Sequence, residues 1–146
     1  MYNRSALAVI LGLASLLSQG CRQTAVDKAK TALLTRAAWK YQKIGFDSKE
    51  DGYIDVLGSR LEDCAKDDIT IFNADGSGTC QTGPLKCDPA DPTALPFRWS
   101  FENHDSTLYF EEQHFKVKTL SENKLEIYNE EHLGGTNVRY IISFGH

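Results

Sequence analysis

The chain has 146 residues, of which 41% are hydrophobic and 25% are charged, a composition typical of one globular domain. Its 16 basic side chains are outnumbered by 20 acidic ones, and the formal net charge is −4. The basic residues form no block that would attract a polyanion, so the charge pattern argues against a nucleic-acid partner.

The N-terminus has the pattern of an export signal. Arg4 precedes an apolar run over residues 6–17, and a short small and polar stretch follows up to Gly20. The apolar run is too short for a transmembrane helix but has the length found in secretory signal peptides. We therefore predict that residues 1–20 are a signal peptide, and that the mature protein works outside the cytoplasm.

Cys21 directly follows Gly20 and resembles the lipidated cysteine of bacterial lipoproteins. The usual motif places Leu three residues before that cysteine, whereas this chain has Ser18 there and Leu17 one position earlier. The resemblance implies a lipid anchor on Cys21. Because Arg22 follows rather than Asp, it also implies an outer-membrane location. Because no acidic run follows Cys21, the domain is expected to face the periplasm. The alternative is a soluble secreted protein in which Cys21 is a free or disulfide-bonded thiol.

Residues 21–31 are predicted to form a tether and the start of a helix. Ala29, Ala32 and Leu33 recur at three- and four-residue spacings without an intervening Gly or Pro, which indicates a short helix. The main domain is expected over residues 32–146.

After Trp39 the hydrophobic period changes from 3.6 to 2, which indicates a mainly β domain. The short connections favour antiparallel neighbours, and eight such strands with one apolar face avoid free edges by closing into an up-and-down β-barrel. The strands are predicted at about 37–45, 67–73, 78–83, 96–102, 106–111, 114–120, 124–130 and 136–144.

Turn residues separate these strands. Asp75-Gly76 and Gly134-Gly135 supply the positive φ angles that tight hairpins need. Two connections are longer. We expect residues 46–66 to form a loop or short helix across one end of the sheet, and the proline-containing segment 84–96 to be irregular.

Three cysteines follow the signal region: Cys64, Cys80 and Cys87. An exported chain favours their oxidation, but three pairings are possible and one thiol is left over. A zinc site is not expected, because the chain has no Cys-x-x-Cys motif and no paired His spacing.

The sequence resembles the lipocalin-like domain of small bacterial lipoproteins over roughly residues 32–144. The residues that carry this resemblance are Leu33-Leu34, Trp39-Lys40, Cys64-Ala-Lys66-Asp67-Asp68-Ile69, Phe72-Asn73-Ala-Asp75-Gly76, Lys86-Cys87-Asp88 and Trp99-Ser100-Phe101. The resemblance implies a calycin-type barrel and a Cys64–Cys87 disulfide, with Cys80 as an extra thiol. It implies no reaction.

One departure from lipocalins concerns the first strand. Their Gly-x-Trp motif is Ala37-Ala38-Trp39 in this chain, so only the tryptophan matches. In lipocalins an Arg covers this Trp, and Arg139 on the last strand is the candidate by position. The alternative is an Arg139 that faces solvent.

The predicted inward face is rich in aromatic residues, which suits a small hydrophobic ligand. The candidate ligand-binding residues are Trp39, Tyr41, Phe97, Trp99 and Tyr140. The same rings could instead fill the barrel, in which case the outer face or the long loops would dock onto an envelope protein or a host molecule.

The acidic pairs Asp67-Asp68, Glu111-Glu112 and Glu130-Glu131 could in principle supply carboxylates for acid-base catalysis or calcium binding. None has the spacing of a known active-site or metal-binding motif, and Glu111-Glu112 is expected to be a solvated hairpin edge. No catalytic residues, metal ligands or cofactor are therefore predicted, and we do not expect an enzyme.

Overall fold

The computed structural model describes residues 25–55, 61–104 and 106–146. The expected signal peptide 1–20 and the expected lipidation site Cys21 lie outside the described residues. The helix α1 spans Ala25–Thr35, and a single 3-10 turn spans Asp63–Ala65. The strands are β1 Trp39–Asp47, β2 Ile69–Phe72, β3 Ser77–Gln81, β4 Ala94–Glu102, β5 Thr107–Phe110, β6 Gln113–Leu120, β7 Lys124–Leu133 and β8 Thr136–Gly145.

The eight strands form a closed barrel in chain order, and every neighbouring pair is antiparallel, including β1 with β8. This confirms the predicted mainly β, eight-stranded up-and-down barrel with a short helix before it. Each predicted strand is present, with boundaries that differ by a few residues. Closure of the ring pairs the two edges that an open sheet would leave exposed.

The ladders around the barrel differ in length. β7 and β8 pair along their whole length, from Lys124 with Gly145 to Leu133 with Thr136. In the described residues β1 and β2 pair only at Trp39 with Thr70 and Lys40 with Ile69. The β1–β2 contact is therefore a short seam in an otherwise well-paired wall.

A β-bulge in β1 changes which side chains face inward. The register against β8 shifts between Tyr41 and Lys43, so Tyr41 pairs with Phe144 and Ile44 pairs with Ile142. Tyr41 and Ile44 both pack on the core, three residues apart rather than two. The extra residue of the bulge keeps both ends of β1 in contact with the interior.

The end of the barrel that holds α1 and Trp39 is here called the closed end. Leu34 and Trp39 are fully buried, and Trp39 Nε1 donates a hydrogen bond to the Leu34 carbonyl at 2.8 Å. The His146 ring packs against Trp39 at a tilt of 34° with 4.3 Å between ring centroids, and its Nδ1 lies 2.7 Å from the Ala38 carbonyl oxygen. These contacts plug the barrel at this end.

Because the strands alternate in direction, the connections that follow β1, β3, β5 and β7 start at the opposite end, here called the open end. Their described residues are 48–55, 61–68, 82–93, 111–112 and 134–135.

Arg139 does not cover Trp39, so the position-based prediction was wrong. Arg139 pairs with Asp47, at the far end of β1 from Trp39. Its guanidinium lies 5.4 Å from the Tyr128 ring centroid and donates to the Glu50 carbonyl at 2.8 Å. The β1–β8 register instead brings the last residues of the chain beside Trp39, and His146 takes the covering position.

The expectation of a loop or short helix across one end of the sheet over residues 46–66 is wrong for residues 48–55, and residues 56–60 of that segment lie outside the described residues. The buried Asp47 carboxylate accepts hydrogen bonds from the amides of Asp51 at 3.1 Å and Gly52 at 2.7 Å, which turns the chain sharply. Lys118 Nζ then donates to the Gly52 carbonyl at 2.8 Å. Because Lys118 points away from the core, residues 48–55 lie against the outer wall of the barrel.

Candidate ligand-binding site

Aromatic side chains fill the middle of the barrel. Phe72 contacts Phe97 and Trp99, with ring centroids 5.3 and 5.7 Å apart, and Phe97 contacts Phe110 at 4.9 Å. All three contacts are edge-to-face, the geometry that aromatic pairs prefer. A Cβ at Gly78 would collide with the Phe97 ring, so this glycine makes room for the aromatic cluster.

Two of the predicted ligand-binding residues are buried by packing, Trp39 in the closed-end plug and Trp99 in the aromatic cluster. Trp99 is 7% exposed, and its Nε1 donates to the carbonyls of Asn73 at 3.0 Å and Ser77 at 2.9 Å. Trp99 therefore ties the β2–β3 turn to β4.

A cleft of about 640 Å³ lies toward the open end. It forms where the first residues of β4, Ala94–Arg98, run beyond the end of β5, because the β4–β5 ladder reaches only to Trp99 with Phe110. This open-end cleft is lined by Cys80, Leu95, Pro96, Phe97, Arg98, Tyr109, Glu111 and Glu112. Of the predicted residues, Phe97 is in this lining.

Cys80 and Glu111 meet in the cleft. The Cys80 thiol donates to Glu111 Oε1 at 3.2 Å, and its sulfur lies 3.9 Å from Thr70 Oγ1. Burial and then the charge of Glu111 raise the pKa of the Cys80 thiol to about 12. Because the thiolate is the reactive form of cysteine, Cys80 is a neutral and weakly nucleophilic group at physiological pH.

Tyr41 and Tyr140, the remaining two predicted residues, are half-buried near Glu111. Burial and then the charge of Glu111 raise the pKa of the Tyr41 hydroxyl. Burial, Glu131 and Glu111, in that order, raise the pKa of Tyr140. Both hydroxyls stay protonated at neutral pH and can serve as hydrogen-bonding groups beside the carboxylate.

The β5–β6 turn that carries Glu111 has an unusual backbone. Glu111 and Glu112 have φ angles of 48° and 61°, in the left-handed region where Asn and Gly are normally found in two-residue hairpins. Non-glycine residues in sparsely populated backbone regions cost of order 1–3 kcal/mol each. The turn is therefore held by the strands on either side of it.

Of the residues predicted to bind a ligand, Phe97 lines this cleft. Glu111 and Glu112 are exposed in a two-residue turn, in keeping with the expected solvated hairpin edge, but nothing in the sequence indicated that Cys80 and Glu111 would meet there. Glu111-Glu112 lies between two predicted strands that leave room for only a short turn. This spacing locates the β5–β6 turn but does not show where the side chain of either residue points.

The connections next to the cleft are cross-linked. Cys64 and Cys87 form a disulfide with 5.1 Å between their Cα atoms, as the family resemblance implied, and Cys80 is free. The Asp68 carboxylate accepts from the Gly83 amide at 2.8 Å, and that of Asp67 accepts from the Leu85 amide at 3.1 Å. These bonds join the segment before β2 to the segment after β3.

The fold and cleft place the protein in the class of eight-stranded up-and-down β-barrels, the architecture of lipocalins. Among the residues that the structure describes, no helix is long and apolar enough to cross a membrane.

No family model matches the chain, and no curated protein matches its sequence. Among solved structures, the chain is similar to a bovine odorant-binding protein in complex with a selenium-containing odorant. The two share 15% sequence identity, and the match covers 79% of this chain and 71% of the other, with a TM-score of 0.39.

Proposed function

We propose that this protein binds a small hydrophobic ligand in the open-end cleft. The observation that carries the proposal is the cleft itself, whose volume of about 640 Å³ lies within the range of roughly 300–1,000 Å³ typical of small-molecule sites. Leu95 and Phe97 supply apolar surface, and Cys80 and Glu111 supply polar groups beside it. This combination of apolar walls and a few polar groups is typical of such sites.

The rest of the barrel supports this proposal. The closed end is plugged by Leu34, Trp39 and His146, so the open end is the side from which a ligand would enter. The Cys64–Cys87 disulfide holds the neighbouring loops in place. A preformed site loses less conformational entropy when its ligand binds.

Binding of the fluorescent probe N-phenyl-1-naphthylamine tests the proposal. Leu95 is 55% exposed and lines the cleft, so Leu95→Trp should obstruct the cleft without disturbing the buried core. Leu133→Trp is the matched control, because Leu133 is 46% exposed at the open end but does not line the cleft. We expect Leu95→Trp to weaken probe binding about tenfold or more and Leu133→Trp to leave it unchanged. Equal binding to Leu95→Trp and wild type would place the probe elsewhere, and no binding to any of the three proteins would contradict the proposed function.

We further propose that Cys21 carries a lipid anchor that holds the protein on the periplasmic side of a bacterial outer membrane. Support comes from the sequence of residues 4–21. The described chain enters the barrel through α1 at the closed end, so an anchor on Cys21 would be joined to that end. We expect labelled palmitate to be incorporated into wild type. We expect Cys21→Ser to incorporate no label and to be released from the membrane. Unlabelled wild type would contradict lipidation.

A second candidate function is contact with an envelope protein through the open end. Leu85 and Leu133 are 55% and 46% exposed on connections or strand ends there. Crosslinking in cells would then capture a partner protein with wild type. The Leu85→Asp and Leu133→Asp double variant should lose this crosslink while its binding of N-phenyl-1-naphthylamine stays unchanged.

A further inference from the structure

We propose that the open-end cleft selects an apolar ligand that carries a positively charged amine, with Glu111 as its counter-ion. This inference rests on the proposed ligand-binding function and names the chemical class of the ligand.

The first argument is the incomplete partnering of Glu111. Its carboxylate accepts a hydrogen bond from the Cys80 thiol at 3.2 Å, and a thiol is a weak donor. Among the described residues, no Lys, Arg or His forms an ion pair with Glu111. A charged N–H donor forms a stronger bond to a carboxylate than a neutral donor does. The Glu111 side chain is exposed to solvent, so a ligand ammonium can reach its carboxylate and would be a stronger partner for it than the Cys80 thiol is.

The second argument is the aromatic surface around Glu111. Phe97 and Tyr109 line the cleft, and Tyr41 and Tyr140 lie close enough for the charge of Glu111 to raise the pKa of their hydroxyls. Aromatic faces attract cations through the ring quadrupole. A cleft that holds a carboxylate together with Phe97 and Tyr109 therefore suits an ammonium ion and also accommodates the apolar part of the same ligand.

The third argument is the sign of the charges that face the site. Glu112 lines the cleft, Asp68 lies close enough to act on Cys80, and Glu131 lies close enough to act on Tyr140. The opposing charge in the lining is Arg98, whose position pairs with Ser77 on β3. Carboxylates therefore outnumber cations, and an anionic ligand would meet repulsion from Glu111 and Glu112.

Displacement of N-phenyl-1-naphthylamine by decylamine, decanol and decanoate, each below its micelle concentration, tests this inference on the full chain at about pH 7.5. The three competitors share one alkyl chain and differ in the charge of the head group. We expect decylamine to bind wild type about tenfold more tightly than decanol, and decanoate to bind more weakly than both. High salt should reduce the preference for the amine, because ions screen exposed charges.

Glu111→Gln keeps the size of the side chain and one acceptor oxygen but removes its charge. Glu122→Gln is the control, because Glu122 lies in the β6–β7 turn and does not line the cleft. We expect Glu111→Gln to lose the amine preference while its affinity for decanol is unchanged, and Glu122→Gln to keep the preference. Equal binding of decylamine and decanol to wild type would overturn the inference and leave the proposed function intact. Equal loss in the two variants would overturn the role assigned to Glu111. No binding of the probe or of any competitor to wild type would mean that the proposed function itself is wrong.

Discussion

At the scale of single residues, the barrel wall carries polar side chains both at the cleft and on its outer face. Cys80 and Glu111 meet at the open-end cleft, and Glu126 is 8% exposed on the outer wall. The neighbours of Cys80 and of Glu126 shift the pKa of each group, so both can be tested by changing the pH or the neighbouring charge.

Cys80 is expected to react slowly with alkylating reagents. Its pKa of about 12 leaves a very small thiolate fraction at neutral pH. In a Cys21→Ser background with the Cys64–Cys87 disulfide intact, we expect iodoacetamide to modify the native protein about a hundredfold more slowly than the unfolded protein at about pH 8. Mass spectrometry would follow the reaction, and Glu111→Gln should accelerate it. Equal rates for native and unfolded protein would contradict the raised pKa.

Glu126 is expected to contribute to stability only when ionised. Burial raises its pKa, but Lys118 at 2.6 Å and Lys124 at 2.7 Å outweigh that effect, and the net pKa is lowered. Its contribution is therefore present above the normal carboxyl pKa and is lost as the pH falls through the lower folded value.

We expect Glu126→Gln to lower the free energy of unfolding by about 1–3 kcal/mol at neutral pH and to flatten its decline in acid. Urea denaturation over a series of pH values would measure both effects. The control is Glu122→Gln, whose ion pair with Arg36 is exposed and should change stability little. An equal effect of the two substitutions would show that burial of Glu126 is unimportant.

At the scale of structural elements, the turns differ in how well their residues suit their backbone. Gly134 and Gly135 have φ angles of 58° and 86°, which glycine adopts easily, and the Gly-Gly pair allowed this turn to be predicted from the sequence. Glu111 and Glu112 adopt similar angles without that freedom. Their conformation could not be predicted, because it is imposed by the flanking ladders rather than by the preference of Glu.

Glu112→Gly is expected to stabilise the fold. Replacing a left-handed Glu with Gly removes a steric cost of about 1–2 kcal/mol, part of which is offset by the greater freedom of Gly in the unfolded chain. We expect a net gain of up to about 1 kcal/mol in urea denaturation. Glu122→Gly is the control, because Glu122 lies in the β6–β7 turn without a positive φ, and it should give no gain. A loss of stability in Glu112→Gly would mean that the side chain makes a contact that outweighs the strain.

At the scale of the whole molecule, the barrel has a closed end stabilised by packing and an open end with a cleft. Trp39→Ala should lower the free energy of unfolding by about 3–5 kcal/mol. If the two ends are independent, the affinity of the folded fraction for N-phenyl-1-naphthylamine should stay unchanged. Urea denaturation and probe titration at low temperature would measure the two quantities separately. Parallel loss of stability and of affinity would show that the plug also shapes the cleft.

The sequence predicted the molecule better than it predicted the site. Alternation on β4 and β8 placed Phe97 and Tyr140 inside a barrel, because a buried face requires apolar residues at every second position. It could not show that β4 extends beyond β5, since the overhanging residues of β4 are held by pairing with β3 across the connection 82–93. The same dependence on register explains why His146, and not Arg139, covers Trp39.

The short seam between β1 and β2 makes the barrel mechanically uneven around its circumference. In the described residues β1 and β2 pair at two positions, whereas β7 and β8 pair along ten-residue strands. The barrel should therefore open between β1 and β2 before any other strand pair separates. Amide hydrogens of Ile69–Phe72 should therefore exchange with solvent faster than those of β7 and β8. Separation of β1 from β2 would enlarge the barrel while the long ladders stay paired, so the barrel would widen on this one side.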